Sequence, residues 1–340
     1  MTIREFAKLC GVSPATCSRF FSGSGAVSES VRLHIEEVAK KTGYCPPDTF
    51  RGRRKSSSVI AVILPHFRQG FFQDMLEKLR EQAEAVHKRL IVFPCDDRKP
   101  QETLALLNAV NPLGIVMLHE SMDDALADAI NQRNIPTIVC GGIPIGRRFS
   151  SVHIDDMMAA YDGTNYLLEL GHSKIGFLTD NSRAISSGFQ RLTGCKKAFE
   201  DAGLPLPPDW ILPTGMTFED GYHGIDELLQ RQPDLTAVFA FSDDLAVGTL
   251  VRLYELGKQV PEHISVLGFD DHIMARATIP PLTTIHQPLE DIARYTIERL
   301  INMQGAHDIS SVTVGCTIQK RATCRSIGPS VRRGIFPDLP

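Results

Sequence analysis

The chain lacks the patterns that carry most enzyme chemistry. No G-x-G-x-x-G follows an apolar run, and G-x-x-x-x-G-K-[ST] and H-E-x-x-H are absent. That removes the usual phosphate cradles and the helical zinc site. Eight cysteines (10, 17, 45, 95, 140, 195, 316, 324) are scattered without a C-x-x-C pair or zinc spacing. They read as free thiols of a reducing compartment. No apolar run approaches the roughly 20 residues needed to cross a bilayer. The first residues read as a capped helix rather than a secretory signal, so a cytoplasmic protein is expected. Carboxylates without a partnered nucleophile or metal cluster describe binding rather than turnover, and no cofactor or metal is expected.

What is present is ordinary in bulk and uneven in detail. At 43% apolar and 22% charged, 340 residues suit one small and one or two medium globular domains. Residues 1–55 hold ten Lys/Arg against five acids, while the whole chain carries a net −4. A basic head on an acidic body implies that the head meets a polyanion.

The head begins TIREFAKLCGVSPATCSRFFSG (Thr2 to Gly23). Thr2 and Glu5 have the spacing of a capping box, and Ile3, Phe6, Ala7 and Leu9 form an apolar stripe. Gly11 can take the positive φ that ends a helix. Ser13 is an N-cap with Pro14 behind it at the first helical position. Two short helices around a tight turn describe a helix-turn-helix, whose second helix enters a DNA major groove. A third helix, capped by Ser28 and ending at Gly43, would bring Val31, Ile35, Val38 and Ala39 onto Phe6, Leu9 and Val12, with Tyr44 beneath. Pro46 and Pro47 then start a polar, basic tether.

From Val59 the rhythm changes. VIAVILP, LIVFP, GIVML and TIVCG alternate with helical segments, and the alternation restarts after Asp155 with KIGFL, AVFAF and ISVLGF. Continuous β-branched runs between helices imply parallel sheets covered on both faces. Two such halves imply two Rossmann-like lobes facing one another.

The runs AKLCGVSPATCSR (Ala7 to Arg19), Gly43-Tyr44, LGHSKI (Leu170 to Ile175), AVFAFSD (Ala237 to Asp243), VPEHISVLGFDD (Val260 to Asp271) and PPLTTIHQP (Pro280 to Pro288) resemble, in order, those of the LacI–GalR family of bacterial transcription regulators. The resemblance implies an all-α helix-turn-helix head and an α/β two-lobed, periplasmic-binding-protein-like body of two doubly wound parallel sheets. It implies a DNA-binding domain at 1–45, a hinge at 46–58, a ligand-binding and dimerisation domain at 59–330 and a tail at 329–340. The N-lobe would hold about 59–154 and 286–316, and the C-lobe about 155–285 and 317–328.

The resemblance places base readout on Pro14, Ala15 and Arg19. Arg19 can donate two hydrogen bonds to a guanine, whereas Pro14 and Ala15 offer apolar contact. Ser13, Thr16 and Ser18 are candidate phosphate donors. The tether departs from the family, whose hinge helix drives a leucine into the minor groove; here the matching position is Arg53. Phe50 could act as a wedge, or Arg51, Arg53 and Arg54 could sit in a narrow groove as cations. In the body, Arg191, Asp243 and Asp270 match positions that grip a small polar ligand, with Phe71, Phe72 and Met216 as an apolar or stacking wall. Asp96 and Asp155 stand at similar strand ends. Carboxylates and a guanidinium around a cleft suit the vicinal hydroxyls of a sugar or nucleoside. Trp210 reads as a packing anchor and His172 as a helix-terminus residue.

The function expected is a ligand-responsive repressor, a homodimer or a higher oligomer, that binds a pseudo-palindromic operator and is associated with the nucleoid. The alternatives are a two-lobed solute-binding protein and a sugar- or nucleoside-processing enzyme.

Overall fold

The computed structural model describes residues 2–22, 27–42, 44, 58–64, 69–94, 99–118, 124–144, 149–180, 186–303 and 309–331. Residues 1–58 and 59–340 form separate compact units.

The head contains α1 (Ile3–Leu9), α2 (Pro14–Ser22) and α3 (Glu29–Thr42). Both halves of the Thr2–Glu5 capping box are made, and Gly11 has φ +63°. Ser13 Oγ accepts the Thr16 amide at 3.0 Å, starting α2. Ile3, Phe6, Ala7, Cys10, Cys17, Ile35 and Tyr44 make the core, with Tyr44 stacked on Phe6 at 4.2 Å between ring centroids. Leu9 corrects the expected stripe, since it is 58% exposed. At about 100° per residue it points well away from the Ile3–Phe6–Ala7 face, and Cys10 fills that face instead.

The body runs β1 (Val59–Leu64), α4 (Gly70–Ala85), β2 (Arg89–Pro94), α5 (Pro100–Val110), β3 (Gly114–Met117), α6 (Asp124–Gln132), β4 (Thr137–Cys140) and β5 (Ser150–Ile154). It continues through α7 (Asp156–Glu169), β6 (Ile175–Asp180), α8 (Ser187–Asp201), β7 (Ile211–Thr214), α9 (Phe218–Arg231), β8 (Ala237–Ala240), α10 (Asp243–Glu255) and β9 (Ser265–Asp270). The last elements are α11 (Ile273–Ala277), β10 (Thr283–His286), α12 (Leu289–Asn302), β11 (Ser311–Val314) and β12 (Thr317–Gln319).

Two six-stranded sheets result, ordered β11-β5-β4-β3-β1-β2 and β12-β10-β9-β8-β6-β7. All pairings are parallel except β10 with β12. β1 and β3 are buried almost throughout, which is why their sequences are unbroken apolar runs. The β5, β7–α9 and β10–β12 elements had no such signature: SSVHI, ILPT and TTIH mix polar with apolar residues. Some are nevertheless buried. Thr283 and Thr284 are enclosed because sheet neighbours cover them.

The chain passes between the sheets three times, from β5 to α7, from β10 to α12 and from β11 to β12. α12 returns to the first sheet and packs on α4. Among the described residues, no helix is long and apolar enough to cross a membrane.

Candidate functional site

In the head, α2 buries Cys17 and leaves Ser13, Pro14, Ala15 and Arg19 exposed, with Thr16 and Ser18 half-buried. The proposed reading residues Pro14, Ala15 and Arg19 are therefore turned to solvent. Ser13 already serves as the cap, and its hydroxyl lies 2.8 Å from that of Thr16. Phe50, Arg51, Arg53 and Arg54 lie outside the described residues, as does Asp96.

In the body, three strand ends of the second sheet bring the polar candidates together. β9 ends on Asp270, which adopts φ +119°, a backbone conformation costly for a side chain other than glycine. That turn aims a buried carboxylate out of the sheet, where Gln287 Nε2 donates to its Oδ1 at 2.6 Å. Gln287 follows β10 by one residue, so the segment that crosses to the other lobe also holds the site carboxylate.

Asp243 opens α10 just after β8 and is fully buried. Its Oδ1 accepts from the Thr284 hydroxyl at 2.6 Å and its Oδ2 from the His272 amide at 3.0 Å. A Cβ at Gly268 would stand 2.3 Å from Asp243 Oδ1, so glycine there leaves the carboxylate its room. Burial, then the charge of Asp270, raises the Asp243 carboxyl well above the ordinary range. Burial pushes Asp270 to about 6, against the pull of Arg191, His272 and Gln287.

Arg191, on α8, is buried. Its Nε donates to Asp156 Oδ1 at 2.7 Å, an Nη donates to the Phe241 carbonyl, and its guanidinium lies 3.6 Å from the Phe269 ring centroid. Burial pushes the Asp156 carboxyl up, and Arg191 pulls it back toward the charged form. The cation is held rigidly by its neighbours, as an orienting group must be.

Phe71 and Phe72 form the first turn of α4, edge to face at 5.6 Å between centroids. Phe71 packs over Gly141, whose added Cβ would be 3.2 Å from the ring. Met216 follows β7, and its carbonyl accepts from Ser242 Oγ at 3.2 Å. Asp155 is exposed and caps α7 through the Met158 amide. Trp210 packs edge-on to Phe199. His172 is buried, bonded to Thr236 Oγ1 and the Arg325 carbonyl. Asp156, Thr284, Gln287 and His272 were not legible as site residues, because each meets its partner across many residues of sequence. The one local hint was the doubled acid Asp155-Asp156.

A small helical head and a two-sheet body, with carboxylates after strand ends and a buried guanidinium on α8, define a ligand-modulated DNA-binding regulator. Residues 2–47 match "Bacterial regulatory proteins, lacI family", and residues 164–324 match a "Periplasmic binding protein-like domain". The HTH-type transcriptional repressor CytR of Escherichia coli K12 is 31% identical over 96% of this chain and 97% of its own. Catabolite control protein A of Priestia megaterium is 26% identical over 92% and 96%. A LacI family regulator from Enterococcus faecium, solved with bound ribose, superposes with TM-score 0.70 at 25% identity over 79% and 100%. A CelR–cellobiose complex shares the fold with TM-score 0.73 at 24% identity over 95% and 99%. The chain belongs to the lacI family of bacterial regulators. It is a DNA-binding transcriptional regulator under ligand control.

Proposed function

We propose that this regulator is a homodimeric, cytoplasmic repressor, not an enzyme. Its operator grip is set by an uncharged polyol, a sugar or nucleoside, held between the lobes by Arg191, Asp243, Asp270, Phe71, Phe72 and Met216. The observation that carries this reading is the buried Asp270 carboxylate, turned out of β9 through a positive φ and braced by Gln287. A rigid acceptor beside a rigid guanidinium suits paired hydroxyls. Asp243 contributes differently: both of its oxygens are engaged, so it positions His272 and Thr284 around the ligand. The names of the relatives support repression, and the ribose bound to the Enterococcus faecium protein supports the ligand class.

Dimerisation is supported by the geometry of readout. One helix-turn-helix makes few contacts, and two related by a twofold axis read two half-sites. In the body, α4 and the edge strand β2 border a groove that includes Leu76, Arg80, Leu90 and Val92, a candidate surface for a second copy.

The test has two parts. Fluorescence anisotropy on DNA flanking the gene, against random duplex and over a range of salt, separates phosphate attraction from base readout. A thermal-shift screen of sugars, sugar phosphates, nucleosides and purines identifies the effector, since a ligand of the native state raises the midpoint. No preference for any duplex would refute the repressor, and shifts confined to phosphorylated compounds would refute the ligand class.

A further inference from the structure

α4 begins at Gly70. Its N-cap residue, Gln69, makes no side-chain hydrogen bond to the first turn. The amide of Gly70, the first helical residue, instead donates to Asp244 Oδ2 at 2.9 Å. Asp244 lies on α10, in the other lobe. A carboxylate from one lobe therefore caps a sixteen-residue helix of the other. The charge complements the positive end of that helix.

His272 completes the contact. It is only 2% exposed, and among the described residues its Nε2 has no hydrogen-bond partner, lying 3.5 Å from Asp244 Oδ1. The ring packs against Gly70, where an added Cβ would stand 3.1–3.2 Å from three of its atoms. The same ring follows Asp270 and Asp271 in the chain, and its amide is fixed by Asp243. The next residues of α4 are Phe71 and Phe72. The turn that presents the aromatic wall is thus the turn on which the opposite lobe rests.

We propose that Asp244 and His272 are positioning residues forming an interlobe clasp on the start of α4, and that this clasp sets the arrangement of the lobes which the effector reads. The inference rests on the effector-cleft reading given above. It explains how occupancy is sensed: a ligand pressing on Phe71 and Phe72 acts on the helix turn that Asp244 holds, and binds the clasped and unclasped states with different affinity.

Hydrogen exchange of the full-length protein, resolved by mass spectrometry to the Gly70 amide, tests the clasp without needing the effector. First-turn helical amides have no intrahelical acceptor, so protection at Gly70 reports the interlobe bond. Asp244→Ala should accelerate exchange there at least tenfold, and Asp244→Asn, which keeps an acceptor, should restore part of the protection. Gly70→Ala, which crowds His272 and leaves α10 intact, should accelerate exchange at the same amide. Equal rates in wild type and Asp244→Ala would overturn the clasp. A wild-type protein with no operator preference would overturn the regulator reading while leaving the exchange result to stand on its own.

Discussion

Arg191 and Asp156 form an ion pair at 2.7 Å with both side chains almost entirely withdrawn from solvent. The pair joins the first residue of α7 to the second turn of α8, and the two helices pack closely along their length. A buried pair contributes little over a well-packed apolar replacement, but leaving one partner alone is costly. Asp156→Ala should therefore lower stability by roughly 3–5 kcal/mol, measured by urea unfolding. Adding Arg191→Met in the same chain should recover most of that loss while abolishing the effector response. If the double variant is as unstable as the single one, the guanidinium is not the source of the cost.

The carboxyl of Asp270 gives a pH signature. Burial holds it at about 6 rather than the ordinary 3.8, so the folded state binds its proton more tightly than the unfolded chain. Stability from this group is full at low pH, falls as pH rises between about 4 and 6, and is flat above. The difference between wild-type and Asp270→Asn urea midpoints should carry that slope, since the variant lacks the titrating group. Effector affinity should run the other way in wild type, weakening below pH about 6 as the acceptor is neutralised. Calorimetry across pH 5–8 checks both the sign and its loss in the variant.

Thr284 supplies a buried donor to an acid that burial already disfavours when charged. Thr284→Val keeps the shape and removes that donor. A loss of about 1–3 kcal/mol follows from the unsatisfied acceptor. Thr284→Ser, with the hydroxyl restored, should recover much of it. Thermal or urea unfolding of the two variants is sufficient.

Arg19 is exposed on α2, as are Pro14 and Ala15. Its replacement by Ala should cost operator preference on the order of 1–3 kcal/mol and leave binding to random duplex nearly unchanged. Effector affinity should be unaffected, since the head and the body are separate units. An Arg19→Ala variant that discriminates operator from random duplex as well as wild type would remove Arg19 from base readout.

The signals that could be read along the chain are those with local physical causes. A capping box, a positive-φ glycine and a Ser-Pro helix start act within a few residues, and α1, the turn and α2 formed where they indicated. Unbroken apolar runs likewise marked β1, β3, β4 and β8, because a strand covered on both faces has no polar side to show. Leu9 misled because its apolar side chain was weighed above its register: at about 100° per residue the Ile3–Phe6–Ala7 face continues to Cys10.

The sequence by itself determined the helical head, the alternating body and the strand ends on which Asp243 and Asp270 stand, since each depends on patterns shorter than a helix. Only the tertiary structure decided what those acids meet. Gln287 reaches Asp270, Thr284 reaches Asp243, Asp156 reaches Arg191, and Asp244 reaches across to Gly70. Those partners are separated by between 17 and 174 residues. Such pairings follow from strand order and from the crossings between sheets, and no local pattern encodes either.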